Sequence, residues 1–148
     1  MINILSKENS FLNNFYEATI IDIEGTEYKT VEHFYQAQKV LLTNAPDKKK
    51  WFKLIVAANS PREARDLGQR CPYDKEWEGY KVQTMYKALL LKFLQNKEIQ
   101  KKLLDTGDEY LEESGKYVDD FWGNSSGGGL NMMGLLLMRV RNYINSLD

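Results

Sequence analysis

The chain has 148 residues, 43% of them hydrophobic and 28% charged; that length and balance fit one soluble globular domain spanning residues 1–148. Twenty Lys and Arg stand against 21 Asp and Glu, for a net charge of −1, so bulk charge cannot hold nucleic acid and any grip on phosphate has to be local. One cysteine, Cys71, and one histidine, His33, exclude an internal disulfide and leave too few ligands for structural zinc; no metal and no cofactor is expected.

In chain order, the first thirty residues read as strand and turn. Thr19–Ile23 is β-branched, Glu24-Gly25 is a turn signal, and Thr26–Lys29 is the returning strand of a hairpin. Thr30 is a plausible N-cap for a helix over Val31–Leu42, with Val31, Phe34, Ala37, Val40 and Leu41 on one broad face. Asn44-Ala45-Pro46 ends that helix. A second is predicted over Asp47–Ala58, with Trp51, Leu54, Ile55 and Ala58 inward and Lys48-Lys49-Lys50 outward. Ser60, Pro61 and Glu63 form a helix-start signal for a short helix ending near Gly68. Lys75–Gln95 is the longest periodic segment, carried by Trp77, Tyr80, Val82, Met85, Ala88, Leu89 and Phe93. A short helix at Glu98–Leu104, a turn at Thr106–Asp108 and a strand near Tyr110–Glu113 follow. Tyr117–Gly129 is irregular, and Leu130–Leu147 is a final amphipathic helix. No apolar run approaches the roughly 20 residues of a membrane helix, and no secretory pattern follows Met1. A cytoplasmic protein without a membrane partner is expected.

Two clusters could carry chemistry. Glu32, Gln36 and Lys39 stand at i, i+4 and i+7, on one helix face beside Tyr35. An exposed polar face with an ordinary salt bridge would have this pattern. So would a cleft that grasps a sugar or base, in which a desolvated lysine becomes an amine nucleophile. The second cluster is Asp119, Asp120 and Trp122 ahead of Gly127-Gly128-Gly129. It reads either as a flexible loop or as a pocket wall whose backbone amides face an anion. Arg70 and Arg65 are the nearest cations to a hypothetical phosphate. Trp77 suits a core or a pocket wall, and His33 is read as structural. Cys71 precedes Pro72 and has no histidine arranged beside it, so cysteine catalysis is not expected.

These residues resemble a known family. Thr30–Lys39 (TVEHFYQAQK) resembles the hallmark segment of the YbiA-like, or NADAR, family. Asn13–Tyr16 resembles its S-N-F element, and Trp77 with Met85–Phe93 its W…M…A-L…K-F helix. Leu104–Gly107, Glu112, Asp119-x-x-Trp122-Gly123 and Gly129-x-Asn131-x-x-Gly134…Arg141 resemble the rest, in one order over nearly the whole chain. Ser125 and Met133 depart from the usual glycine and leucine. The resemblance implies an α+β, mainly α-helical domain with a small N-terminal β-hairpin. It also implies an N-glycosidase that cuts a C–N bond at ribose C1′. One branch acts on phosphorylated ribosylamino-pyrimidines of riboflavin synthesis, the other removes ADP-ribose from guanine in nucleosides or nucleic acid.

Carried over by residue, Lys39 would attack C1′ and form a Schiff base, and Glu32 would hold ribose hydroxyls or shuttle a proton. Asp119 would stabilise the cationic intermediate or activate water. Trp77 and Trp122 would stack the base or wall the pocket. Asn14, Gln36 and Asn131 would supply hydrogen bonds, and the amides near Gly129 would face phosphate. Phe15, Tyr35, Arg70 and Gly123 complete the expected substrate-binding set. The competing readings are a non-catalytic module that binds ADP-ribose or NAD derivatives, and a plain helical interaction domain.

Overall fold

The computed structural model describes residues 1–147. Six α-helices and four two-residue strands make an α+β, mainly helical fold. Its contacts group into two units: Glu17–Gln95, and Met1–Tyr16 together with the chain from Asn96 onward.

The first unit opens with the predicted hairpin. β2 (Ile20–Ile21) pairs antiparallel with β3 (Glu27–Tyr28), in the register Ile20 to Tyr28. Asp22 Oδ1 accepts the N–H groups of Glu24 and Thr26, and Tyr28 donates its hydroxyl to Asp22 Oδ2 at 2.9 Å. Gly25 takes φ +89°, a conformation that favours glycine in such a turn. α1 (Val31–Leu42) follows, with Thr30 Oγ1 accepting His33 N–H as the N-cap. It packs against α2 (Lys48–Val56), α3 (Pro61–Arg70) and α4 (Trp77–Gln95). Phe34, Ala37 and Val40 are fully covered; Phe34 and Val40 each contribute on the order of 1.5–3 kcal/mol.

Several expectations change here. Leu41, Leu54 and Tyr80 are exposed, so each helix face is narrower than its periodicity suggested. α3 does not stop near Gly68 but runs on to Arg70, with Gly68 buried inside it. The capping box holds, with Ser60 Oγ accepting Glu63 N–H, although the Glu63 carboxylate reaches Asn59 N–H rather than Ser60.

The second unit pairs β1 (Ile2–Asn3) with β4 (Leu111–Glu112) in parallel. A 3₁₀ helix over Lys7–Leu12, absent from the sequence reading, tucks Phe11 and Leu12 inward. α5 (Lys97–Asp105) and α6 (Met132–Asn145) pack together, and α6 packs on β4. Arg141 ties α6 to the Thr106–Gly107 turn, donating to Thr106 Oγ1 and the Glu109 carbonyl, each at 2.9 Å.

Candidate active site

On α1 the burial does not alternate: every residue from Val31 to Ala37 is buried. Glu32, Gln36 and Lys39 are 8%, 5% and 5% exposed. That overturns the plainer reading of this face as a solvated one, because charged side chains are rarely buried without a reason. Gln36 Nε2 donates to Glu32 Oε2 at 2.7 Å and leaves Oε1 of the carboxyl without a hydrogen bond. Burial pushes the Glu32 carboxyl upward, against the pull of the Gln36 N–H, Arg65 and Lys39. Burial pushes the Lys39 ammonium downward, opposed by Glu32 and Cys71. Both shifts move the pair toward an uncharged amine and an uncharged acid, the states in which one attacks and the other gives a proton.

Lys39 Nζ sits 4.4 Å from the centre of the Tyr73 ring. Among the described residues it makes no hydrogen bond or ion pair. Tyr35 meets Trp77 edge to face at 5.1 Å between ring centres. Trp77 is 4% exposed. An acid, an amide, an amine and three rings are thus gathered around one helix face.

His33 is the structural residue the sequence suggested. Its Nε2 lies 3.0 Å from the Ala58 carbonyl and its Nδ1 2.8 Å from Thr30 Oγ1. A carbonyl can only accept, so Nε2 carries the proton and Nδ1 accepts from the hydroxyl. Burial lowers its pKa further.

The sequence reading did not place four residues beside this cluster, although it named Arg65 as a candidate cation for phosphate. Tyr73 lies in the loop before α4, where spacing says nothing about contact. Arg65, and not Arg70, bears electrostatically on Glu32; the Arg70 side chain is exposed at the end of α3. Cys71 is buried and acts electrostatically on Lys39. Gly68 faces Gln36. A second lysine, Lys92 on α4, is fully buried, and burial pushes its ammonium down to about 7.

The other expected site residues belong to the second unit. Asn14 is half-buried and Phe15 is exposed, with its N–H on Asn13 Oδ1. Asp119 Oδ1 accepts the N–H groups of Phe121 and Trp122 at 2.9 and 2.7 Å, which fixes the turn. Trp122 packs edge to face on Phe121.

Three expectations here need correction. Gly127 and Gly129 do not offer their amides to phosphate: both N–H groups are bound to Asn124 Oδ1, at 2.8 and 3.0 Å. The first amides of α6 are likewise taken, Met132 by the Phe121 carbonyl and Met133 by that of Trp122. Asn131 is a clamp and not a free arm for substrate. It is 2% exposed, its Oδ1 accepts Glu113 N–H, and its Nδ2 donates to the Leu111 carbonyl and the Tyr110 hydroxyl. Gly123 and Gly129 are glycines because backbone passes close by: a Cβ would meet the Glu113 carbonyl at the first and Asn124 Cα at the second.

A helix face that sequesters a lysine and a carboxyl among aromatic rings is a candidate enzyme active site. Over residues 4–145 the chain matches the NADAR domain, and it belongs to that family. It is 42% identical to N-glycosidase Npun_R5314 of Nostoc punctiforme, covering 86% of this chain and 81% of the relative. It is 36% identical to the riboflavin biosynthesis protein VVA0006 of Vibrio vulnificus, covering 93% of this chain but 36% of that protein. Its fold is similar to the NMR structure of the E. coli protein YbiA, with a TM-score of 0.80, 32% identity, and coverage of 99% of this chain and 83% of that one.

Proposed function

We propose that this protein removes ADP-ribose from guanine by cutting the C1′–N bond through a Schiff base on Lys39. The coarser class, a hydrolase of N-glycosyl bonds, rests on membership in the NADAR family and on relatives named N-glycosidases. The observation that carries the mechanism is the buried Glu32–Lys39 pair on α1, with burial driving both groups toward their neutral forms.

In the first step Lys39 Nζ bonds to C1′ as the C1′–N bond breaks, and Glu32 gives a proton to the leaving base nitrogen. The Nζ proton passes to the Glu32 carboxylate and on to the ribose ring oxygen O4′ as the C1′–O4′ bond breaks and the ring opens to the Schiff base. Water then adds to C1′, the C1′–Nζ bond breaks, and the sugar leaves with the amine restored. The Tyr73 face lies where it can favour the cationic C=N intermediate. Tyr35 and Trp77 support the flat base. For Asp119 the family resemblance alone supplies the role of activating water or steadying the cation.

A second reading is favoured by the name of the Vibrio relative: the ribosylated base would be a phosphorylated ribosylamino-pyrimidine. One experiment separates the two. The protein is incubated with ADP-ribosylated guanosine and cyanoborohydride, and its intact mass is measured. The expected result is a reduced sugar adduct that peptide mapping places on Lys39 and that Lys39→Ala lacks. An adduct on Lys92 would overturn the assignment of the nucleophile. Turnover of the pyrimidine substrate with an intact guanosine conjugate would establish the second reading. Tight ADP-ribose binding without cleavage of either would establish a binding module.

A further inference from the structure

The interior of α3 contains a glycine where a helix gains nothing from one. Gly68 is buried, and its backbone is ordinary helix with negative φ, so the turn does not require glycine. What requires it is space. A Cβ built on Gly68 would stand 2.6 Å from Gln36 Cδ and 3.0 Å from Gln36 Cβ, and closer still to Gln36 Oε1. Real Cβ atoms do not approach neighbours this closely, so an alanine here would push the Gln36 amide away. Gln36 Oε1 accepts no hydrogen bond where it lies; it rests against the polarised Cα–H that only a glycine leaves uncovered. The other end of the same amide donates to Glu32 Oε2 at 2.7 Å. The amide is therefore wedged between the α3 backbone and the Glu32 carboxyl.

We propose that Gly68 is a positioning residue: by lacking a side chain it seats Gln36 so that Gln36 holds Glu32 Oε2 and leaves Oε1 as the oxygen that carries the proton. Its consequence for rate rests on the glycosidase reading; the wedge itself does not. Gln36 on this view acts through Glu32 and does not reach for substrate. The other charged or titratable groups that bear on Glu32 are Lys39 and Tyr35 on α1 and Arg65 on α3, and none of them is displaced by a methyl group at Gly68.

The test uses the full chain in four forms: wild type, Gly68→Ala, Gln36→Ala and the double variant. Alanine is the better helix former, but the displaced Gln36–Glu32 hydrogen bond offsets that gain, so Gly68→Ala is expected to fold and to unfold at or a few degrees below the wild-type temperature. It is nevertheless expected to lose about ten- to a hundredfold in kcat/KM, the scale of a catalytic group misplaced by about 1 Å. Gln36→Ala is expected to lose a similar factor, and the double variant no more than Gln36→Ala alone, because the collision partner is gone. Full activity in Gly68→Ala, or losses that multiply in the double variant, would overturn the proposal. If Gly68→Ala fails to fold, Gln36→Ala should restore folding in the double variant; failure there would also overturn it. A substrate-free readout keeps the two readings apart. The Glu32 carboxyl, followed by carbon NMR against pH, should titrate higher in Gly68→Ala and Gln36→Ala alike, because both lose the donated N–H. That shift in a protein inactive on every glycoside would sink the glycosidase reading and leave the wedge standing. An unmoved Glu32 in an active enzyme would do the reverse.

Discussion

Asn131→Ala separates a clamp from a ligand arm. The Asn131 side chain is 2% exposed and makes three hydrogen bonds, to Glu113 N–H at 3.0 Å, the Leu111 carbonyl at 2.9 Å and the Tyr110 hydroxyl at 3.1 Å. Truncation leaves one backbone donor and one backbone acceptor beside β4 without their partner. Tyr110 is exposed and can turn to water, so it adds little. A stranded buried polar group costs about 1–3 kcal/mol, which gives roughly 2–6 kcal/mol for the pair, and the small cavity adds to it. In a chain of this length each kcal/mol moves Tm by about 2–4 °C, so the midpoint should fall by about 4–24 °C. Calorimetry or urea unfolding measures it, at a temperature well below the midpoint so that residual activity is read on folded protein. The folded fraction should keep most of its kcat/KM. A variant as stable as wild type but inactive would refute the reasoning and return Asn131 to the substrate-binding set.

Tyr73→Leu keeps an apolar cover over Lys39 but removes the ring face, 4.4 Å from Nζ. A cation–π contact at a half-exposed ring is worth about 0.5–1 kcal/mol, so the Lys39 pKa should drop when it is lost. Labelling of Lys39 by an amine-reactive reagent should then begin at lower pH, with Tyr73→Phe unchanged; an upward shift would refute the contact. His33 should make the fold sensitive to mild acid. Its folded pKa lies below the ordinary value of about 6.5 because it is buried. The unfolded chain therefore binds the proton first, and stability falls as pH drops from about 6.5 toward the folded pKa, by at most about 1.4 kcal/mol per unit. Glu32, whose pKa is raised, works in the opposite direction. The urea midpoint measured between pH 7.5 and 5 should decline less in His33→Gln than in wild type; equal declines would remove His33 as the cause.

What could be read from the sequence was whatever one chain segment decides by itself. The bounds of α1, its Thr30 cap and the Ser60-Pro61 start follow from neighbours within four residues, and the hairpin from the turn signal at Glu24-Gly25 between two short β-prone segments. The spacing of Glu32, Gln36 and Lys39 was equally local, but their burial was not. It depends on α2, α3 and α4 closing around α1, and no periodicity along α1 announces that. Tyr73 and Gly68 escaped notice, and Arg65 was read as a phosphate cation and not as a neighbour of Glu32, for the same reason: each matters through a residue more than thirty positions away or on another helix. The glycine-rich loop misled in the other direction. Its composition suits an anion cradle, yet Asn124, which carries no mark in the sequence, takes up the amides that would form one.

α1 also shows why burial alone does not identify a functional residue. His33 is the most deeply buried of its polar side chains, and both ring nitrogens have partners fixed by chemistry: a carbonyl for Nε2–H and a hydroxyl for Nδ1. Such a residue returns its desolvation cost as structure. The adjoining face differs. Glu32 has one hydrogen bond, through Gln36, and the Lys39 amine has only an aromatic face. Folding would be better served by apolar side chains at both positions. A helix that satisfies one buried polar residue completely and leaves an acid and an amine under-satisfied beside it keeps those two for a ligand that completes them. The groups such a ligand has to bring follow from what is missing: an atom for the amine to attack, a basic atom for the Glu32 proton, and a flat ring. A ribosylated base brings all three.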